Sequence, residues 1–155
     1  MSQRNAFDFL VGKSTVHHRY LLRRLAGCTD WIEFPGTSST RKILDGYANM
    51  DDDDIHHPSG RYAGVALRTY DAKSDNWSIY WLDSRYPGRI DPPVLGRFDN
   101  GIGTFEGDDA FEGRAIRVRF LWTLITATSA RWEQAFSSDE GNSWETNWYM
   151  DFTHV

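Results

Sequence analysis

The chain has 155 residues, a size at which one domain buries about two thirds of its unfolded surface without disulfides or metals. Its formal net charge of −5, with Lys and Arg scattered along the chain, argues against a nucleic-acid or membrane-surface partner. No apolar run approaches the roughly 20 residues of a membrane-spanning helix, and the lone Cys28 fits a reducing compartment. We therefore expect a single domain over residues 1–155 in the cytoplasm, with neither nucleic acid nor membrane as a partner.

The first predicted strand runs from residue 14 to about residue 22. Its apolar and polar residues alternate with the period of a strand, and one face carries Val16, His18, Tyr20 and Leu22. His18 is therefore expected to point inward, either as a hydrogen-bonded core residue or as a base or ligand donor. Two weaker strands are predicted at residues 31–34 and 37–44, separated by Pro35-Gly36.

Four consecutive aspartates, Asp51 to Asp54, precede His56 and His57. Like charges at this density repel one another, so we expect an exposed, mobile loop. Carboxylates and imidazoles are also divalent-metal ligands, which makes a metal site the alternative. Because contiguous aspartates on a loop cannot all converge on one ion, we predict no metal here.

A clearer hairpin joins residues 62–70 to residues 77–84, with Tyr70 opposite Trp77 and Leu67 opposite Tyr80. Both of its faces carry apolar bulk, so the pattern does not decide which one is inside. An apolar outer face would be covered by a partner, for which a homodimer is one hypothesis.

Five segments between residues 94 and 152 form the most regular part of the chain. Turns are predicted at Asn100-Gly101, at Glu112-Gly113, around Thr126 and at residues 139–141. Folding the chain at these turns gives one cross-strand row of Gly96, Phe105, Phe120, Trp132 and Trp148, and a neighbouring row of Leu95, Glu106, Arg119, Glu133 and Asn147. We predict that the first row is buried and the second faces water.

The whole pattern predicts an all-β fold, an antiparallel up-and-down meander of about ten strands. Nearly every connection is a local hairpin, which favours a closed barrel over a sandwich, and closure removes exposed strand edges. Gly96 and Gly103 within strands indicate sheet curvature or a close approach. Gln134 and Thr146 are polar exceptions on the predicted inner face, so they either bond each other and a neighbour or point at a ligand or water.

The segment from Ser137 to Trp144 resembles the Asp-box hairpin of sialidases and related β-propellers. A propeller needs several copies of this motif, and the chain has one. What carries over is hairpin stabilisation, with Asp139 bonded to backbone amides, Gly141 at positive φ and Trp144 packed beneath.

Phe7-Asp8-Phe9-Leu10-Val11-Gly12-Lys13-Ser14 resembles the N-terminal signature of lipocalin-like (calycin) barrels, in which Gly-x-Trp opens the first strand. With Trp77-Ser78-Ile79-Tyr80-Trp81, Asp91-Pro92-Pro93-Val94 and Trp132-Glu133-Gln134-Ala135-Phe136, the whole chain is similar to a small bacterial family of unknown function thought to share that barrel. The resemblance implies the fold and brings no catalytic or binding residues. Ser14 stands where the family Trp would close the barrel floor, so that end is expected to be looser or filled by another ring.

We expect a non-enzymatic binder of a small apolar or amphipathic ligand, with no cofactor and no catalytic residues. The expected ligand-binding residues are His18, Phe105, Phe120, Trp132, Gln134, Thr146 and Trp148. A filled barrel acting as a structural or dimerising domain is the first alternative, and an isomerase or hydrolase using His18 and Asp83 is the second. An internal cavity of several hundred Å3 would favour the binder, whereas the enzyme requires His18 within about 3 Å of a carboxylate, directly or through one water, in an accessible cleft.

Overall fold

A computed structural model describes residues 2–155 as ten antiparallel strands that close into one barrel. The strands are β1 (Gly12–Leu21), β2 (Trp31–Ile43), β3 (Ala48–Ile55), β4 (Tyr62–Asp71), β5 (Asn76–Asp83), β6 (Val94–Asp99), β7 (Ile102–Phe111), β8 (Arg114–Thr123), β9 (Ser129–Ser137) and β10 (Glu145–His154). Each strand pairs with its neighbours in the chain, and β1 closes the ring by pairing with β10. The predicted all-β meander and its barrel closure are confirmed. Among these residues, no helical segment has the length and hydropathy needed to span a bilayer.

Alternation along the strands sends one set of side chains into the barrel and the other set outward. Trp132 and Trp148 are both buried, and their ring centroids lie 5.2 Å apart. Arg119 and Glu133, on the opposite parity, are only partly buried. The predicted arrangement of an aromatic interior and a charged exterior is therefore confirmed for β8 to β10.

The N-terminal segment closes one end of the barrel. A 3-10 turn, Asp8–Leu10, follows Phe7, whose side chain is only 1% exposed. The Phe7 ring contacts Trp77 at 5.1 Å and Phe98 at 4.9 Å between centroids, and it also packs against Trp122. The floor that lacks a Trp at Ser14 is thus filled by another ring, Phe7.

The predicted register was wrong at two places in the C-terminal half. Phe120 pairs with Gln134 instead of Trp132, because the β8–β9 turn is centred near Ala127, one residue beyond Thr126. A β-bulge between Thr146 and Trp148 then shifts β10 against β9. The bulge turns Asn147, predicted to face water, into the interior, where it is completely buried.

The four aspartates lie in strand β3 and not in the loop that we predicted. Each pairs with both neighbouring strands, from Asp51 opposite Thr40 and Ala66 to Asp54 opposite Thr37 and Ala63. Side chains on a strand point alternately to its two faces, so Asp51 and Asp53 are buried inside while Asp52 is exposed outside. The repulsion expected of four like charges is reduced because they are divided between two faces.

The β4–β5 hairpin has the predicted register, with Tyr70 opposite Trp77 and Leu67 opposite Tyr80. Its facing, which the sequence left open, places Tyr62, Ala66, Arg68, Trp77 and Ile79 inside. The outer face carries partly exposed Val65, Leu67, Tyr80 and Leu82. The two weaker strands predicted around Pro35-Gly36 form one continuous strand, β2.

The β9–β10 turn has the contacts predicted from its Asp-box pattern. The Ser143 amide donates to Asp139 Oδ1 at 2.9 Å, and the Ser143 hydroxyl donates to Asp139 Oδ2 at 2.5 Å. These bonds lower the pKa of Asp139 to about 2. Gly141 has a φ of +87°, and Trp144 lies against it.

Candidate functional site

The barrel contains an internal cavity of about 490 Å3. It runs from the middle of the barrel to the end opposite Phe7, where the mouth is lined by exposed Tyr86, Arg89 and Glu112. Binding sites for small molecules have volumes of about 300–1,000 Å3 and are largely pre-formed. The cavity is therefore large enough for one small molecule.

Aromatic rings from β8, β9 and β10 form one wall of this cavity. The Phe120 and Trp132 centroids lie 5.0 Å apart, and Trp132 meets Trp148 edge-on at 87°. Trp81 of β5 meets Trp148 in the same manner at 6.1 Å. Because strand backbones hold these rings, the wall is a rigid apolar surface with several edge-to-face contacts.

The facing wall, on β3 and β4, is charged. Arg68 donates from Nη2 to Asp51 Oδ2 and from Nη1 to Asn49 Oδ1, each at 2.8 Å. Asp51 Oδ1 also accepts the Ala66 amide at 2.8 Å. The side chains of Asn49, Asp51 and Arg68 are all buried. This network balances the charge of Arg68 and holds it across the cavity, over the Phe7 and Trp122 rings.

Asp53, two residues beyond Asp51 on β3, is a second carboxyl on the same wall. It is 2% exposed, and its Oδ1 has no hydrogen-bond partner among residues 2–155. Burial, reinforced by the negative charge of Asp51, raises the pKa of Asp53 well above its usual range. When protonated, Asp53 can donate as well as accept a hydrogen bond, so this wall carries a polar group that a ligand could bond.

Arg24 lies at the mouth, on the loop between β1 and β2, and lines the cavity. Its Nε and Nη2 are buried and have no hydrogen-bond partner among residues 2–155. The guanidinium carbon lies 4.6 Å from the centroid of the Tyr20 ring and 5.4 Å from that of Phe136. Arg24 is thus a cation surrounded by rings, held at the entrance to the aromatic wall.

The structure brings together four of the seven predicted ligand-binding residues, since Phe120, Trp132, Gln134 and Trp148 all line the cavity. Gln134 donates from Nε2 to Asn147 Oδ1 at 2.9 Å, so its amide is partly satisfied within the protein. The other three lie elsewhere. Phe105 is sealed below the cavity against Phe7, Thr146 lies in the bulge outside the lining, and His18 lies behind Trp148.

His18 is a buried, neutral side chain. It accepts a hydrogen bond from Trp148 Nε1 at 3.0 Å through Nδ1, and its ring stacks on Phe34 at 4.9 Å. Burial is the main cause that lowers the pKa of His18 to about 3, with smaller effects from neighbouring histidines. No carboxylate bonds to His18 within residues 2–155, and Asp83 is engaged by Arg85 at 2.7 Å. The direct contact between His18 and a carboxylate that would support the enzyme hypothesis is therefore absent from this part of the chain.

Sequence reasoning missed the polar half of the site, Arg24, Asp51, Asp53 and Arg68. Four consecutive like charges repel one another, so the aspartates were predicted to lie in an exposed loop. One feature of the sequence did indicate a buried charge. In β4, Arg68 lies on the same face of the strand as Tyr62, Gly64 and Ala66. A lone arginine on an inward apolar face requires a buried carboxylate partner, which Asp51 supplies.

No metal centre is formed by the part of the chain from residue 2 to residue 155, where no three His, Cys, Asp or Glu side chains are grouped closely enough to hold an ion. Neighbouring aspartates in β3 point to opposite faces of the sheet, so their carboxylates do not converge on one ion. On the outer face, Asp54 bonds to His56 at 3.4 Å and to Arg61 at 2.5 Å.

Two solved structures share this fold at low sequence identity. One is EF1p2_mFAP2b bound to DFHBI, with a TM-score of 0.53 and 12% identity over 99% of this chain and 100% of that chain. Another is the S-type phycobiliprotein lyase CPES from Guillardia theta, with a TM-score of 0.58 and 11% identity over 100% of this chain and 93% of that chain. The ten-stranded ring and these neighbours fit a lipocalin-like barrel. No protein-family profile and no curated protein matches the sequence.

Proposed function

We propose that this protein is a non-enzymatic binder of one small amphipathic molecule, held inside the barrel. The observation that carries the proposal is the cavity of about 490 Å3 between an aromatic wall and a polar wall. A barrel that served only as a scaffold would be more stable if these rings filled its interior, because close packing maximises their contacts. The empty volume therefore supports binding over the filled-barrel alternative.

The lining matches the usual composition of a ligand site, which is mostly apolar with a few polar groups. Phe120, Trp132 and Trp148 would contact the apolar body of the ligand, and Gln134 and Asp53 would bond its polar atoms. His18 would act indirectly by fixing the Trp148 ring through its 3.0 Å hydrogen bond. Phe105 would support the floor from below.

The structural neighbours support a ligand site in a barrel of this kind. EF1p2_mFAP2b is bound to DFHBI, and CPES is a phycobiliprotein lyase. We further propose membership of the small lipocalin-like family that the sequence resembles, and a cytoplasmic location on the grounds of the lone Cys28. A homodimer through the partly exposed outer face of the β4–β5 hairpin stays a prediction.

Tryptophan fluorescence titrations test the binding proposal. We expect at least one of a fatty acid, a retinoid and haem to quench or shift the emission with saturation at one molecule per chain. Trp132→Phe should reduce both the signal and the affinity. The matched control is Trp31→Phe, since Trp31 lies on the outer surface beside Tyr149 and Arg19. Equal responses of the two variants, or no saturable response to any compound, would count against the proposal.

A further inference from the structure

We infer that the ligand carries an anionic group, such as a carboxylate or sulfonate, that binds Arg24 at the mouth of the cavity. The inference rests on the proposed function and adds the chemical class of the ligand. It depends on one imbalance among the charged residues that line the cavity.

Four arginines line the cavity, and three of them have carboxylate partners. Arg68 is paired with Asp51 at 2.8 Å, Arg85 with Asp83 at 2.7 Å and Arg89 with Asp91 at 3.1 Å. Within residues 2–155, the Arg24 guanidinium has neither an ion pair nor a hydrogen bond, and two of its nitrogens are closed off from water. Guanidinium nitrogens that are shielded from water without an acceptor carry a desolvation cost, and a bound anion at this position would reduce it.

The carboxylates near the mouth are committed elsewhere or exposed. Asp109 approaches Arg89 at 3.7 Å, and Asp108 bonds to Arg117 at 2.8 Å. Glu112 is exposed, where water and salt screen its charge. Glu145 is the acidic residue whose charge acts on Arg24, and its Oε1 accepts the Leu25 amide at 2.6 Å. The attraction for an incoming anion is therefore confined to the Arg24 guanidinium, since the cavity lining as a whole contains more carboxylates than arginines.

The backbone around Arg24 is held in place. The bond between the Leu25 amide and Glu145 anchors the β1–β2 loop to β10, and the Leu22 amide donates to the Asp30 carbonyl at 2.9 Å across the loop. A positioned guanidinium loses less freedom on binding than a mobile one, and its planar fork suits two carboxylate or sulfonate oxygens.

Arg24 is also continuous with the aromatic wall. Its guanidinium carbon lies 5.9 Å from the centroid of the Trp148 ring, which in turn touches Trp132. An anion bound to Arg24 would therefore place an attached apolar body against these two rings, with its far end towards Asp53. The site therefore favours an amphipathic acid over a neutral compound with the same apolar body.

Two dyes that differ in charge test the inference. N-phenyl-1-naphthylamine is neutral, and 1-anilinonaphthalene-8-sulfonate carries the same ring system with one sulfonate. Fluorescence titration of the wild-type protein is expected to show saturable binding of both, with the anionic dye tighter. Arg24→Met should weaken the anionic dye by about 10- to 100-fold, the range expected for lost hydrogen bonds to a charged group, and change the neutral dye by less than about 2-fold.

Arg23→Met is the matched control, because Arg23 is the exposed neighbour and its loss changes the net charge equally. It should leave both dyes unchanged, while Arg24→Lys should retain part of the anionic affinity. Thermal unfolding verifies that each variant folds, and Arg24→Gln replaces the Met variant if that one does not. The inference is overturned if Arg24→Met leaves the anionic dye unchanged or weakens both dyes equally. If neither dye enters the wild-type barrel, the proposed function itself fails.

Discussion

At the scale of single residues, Asp51 should be essential for stability because it balances the buried Arg68 charge. Asp51→Asn would leave that guanidinium without its carboxylate, a change that costs about 3–5 kcal/mol when one partner of a buried pair is removed. Urea unfolding measures the loss. Asp52→Asn, one position along and exposed, should change the free energy of unfolding by less than about 0.5 kcal/mol. Similar losses in the two variants would refute the buried pair.

Neutralising Asp53 should not destabilise the protein at high pH, whereas neutralising Asp51 should. The pKa of Asp53 is raised in the folded protein by burial and by Asp51, so the folded state keeps a proton that the unfolded chain loses above about pH 4. Its contribution to stability is complete below that pH and is lost as the pH rises towards the raised pKa. Asp53→Asn, which is neutral at every pH, should remove this loss and leave the protein at least as stable at pH 8.

The test is to measure the unfolding temperatures of wild type and Asp53→Asn from pH 4 to pH 9 and to follow the difference between them. His18 contributes the reverse trend to both proteins, because its pKa is lowered to about 3 and stability from this group rises with pH up to about 6.5. A constant difference across the pH range would mean that Asp53 is ionised in the folded protein.

Residue identities on the aromatic wall could be predicted from the sequence, whereas the polar wall could not. Trp132 and Trp148 fall on the inner parity of strands whose outer parity is charged, so strand periodicity suffices to place them. Arg24 lies in a loop, where no periodicity applies. Asp53 is buried against the preference of its own side chain, a choice that only the neighbouring strands reveal.

At the scale of elements, the N-terminal turn is expected to work as the floor of the barrel. Phe7→Ala would open a cavity among Trp77, Phe98 and Trp122 and should cost about 3–5 kcal/mol in urea unfolding. Phe9→Ala is the matched variant, since Phe9 is only partly buried, and should cost less. Equal losses would show that Phe7 has no special role in closing the floor.

Strand β6 depends on its close approach to β7. It forms only three pairs with β5, and at Gly96 an added Cβ would collide with the Thr104 carbonyl of β7. Gly96→Ala should therefore separate β6 from β7 and cost at least about 2 kcal/mol of unfolding free energy. Gly88→Ala is the control, because an added Cβ there meets no atom of the described chain, residues 2–155, within 4 Å. A stable Gly96→Ala protein would contradict the observed strand spacing.

The two register errors have physical reasons that the sequence pattern conceals. A two-residue turn such as Asn100-Gly101 fixes its register because its residues adopt positive φ, at 50° and 77°. The β8–β9 connection has five residues, 124–128. A connection of this length does not fix the pairing of β8 with β9, which can shift by two residues. A β-bulge inserts one residue without altering composition, so Asn147 could not be placed.

At the scale of the whole molecule, closure of the barrel could be predicted from the sequence, but the register of the strand pair that closes it could not. Local hairpins predict the nine consecutive pairings, and an all-hairpin chain with open edges would aggregate. The tenth pairing, β1 with β10, joins distant parts of the chain, with Val16 opposite Phe152. No turn specifies this register. It follows from matching the inward residues of both strands around one core.

The open, ligand-sized cavity of the barrel is tested most directly by a substitution that fills it. Ala66 is buried on the charged wall and lines the cavity, whereas Ala63 on the same strand faces outward. We would titrate N-phenyl-1-naphthylamine against wild type, Ala66→Phe and Ala63→Phe while recording unfolding temperature. The structure predicts that Ala66→Phe folds but no longer binds the dye, while the other two proteins bind one molecule each. Undiminished binding by Ala66→Phe, or its failure to fold for lack of room, would contradict the cavity.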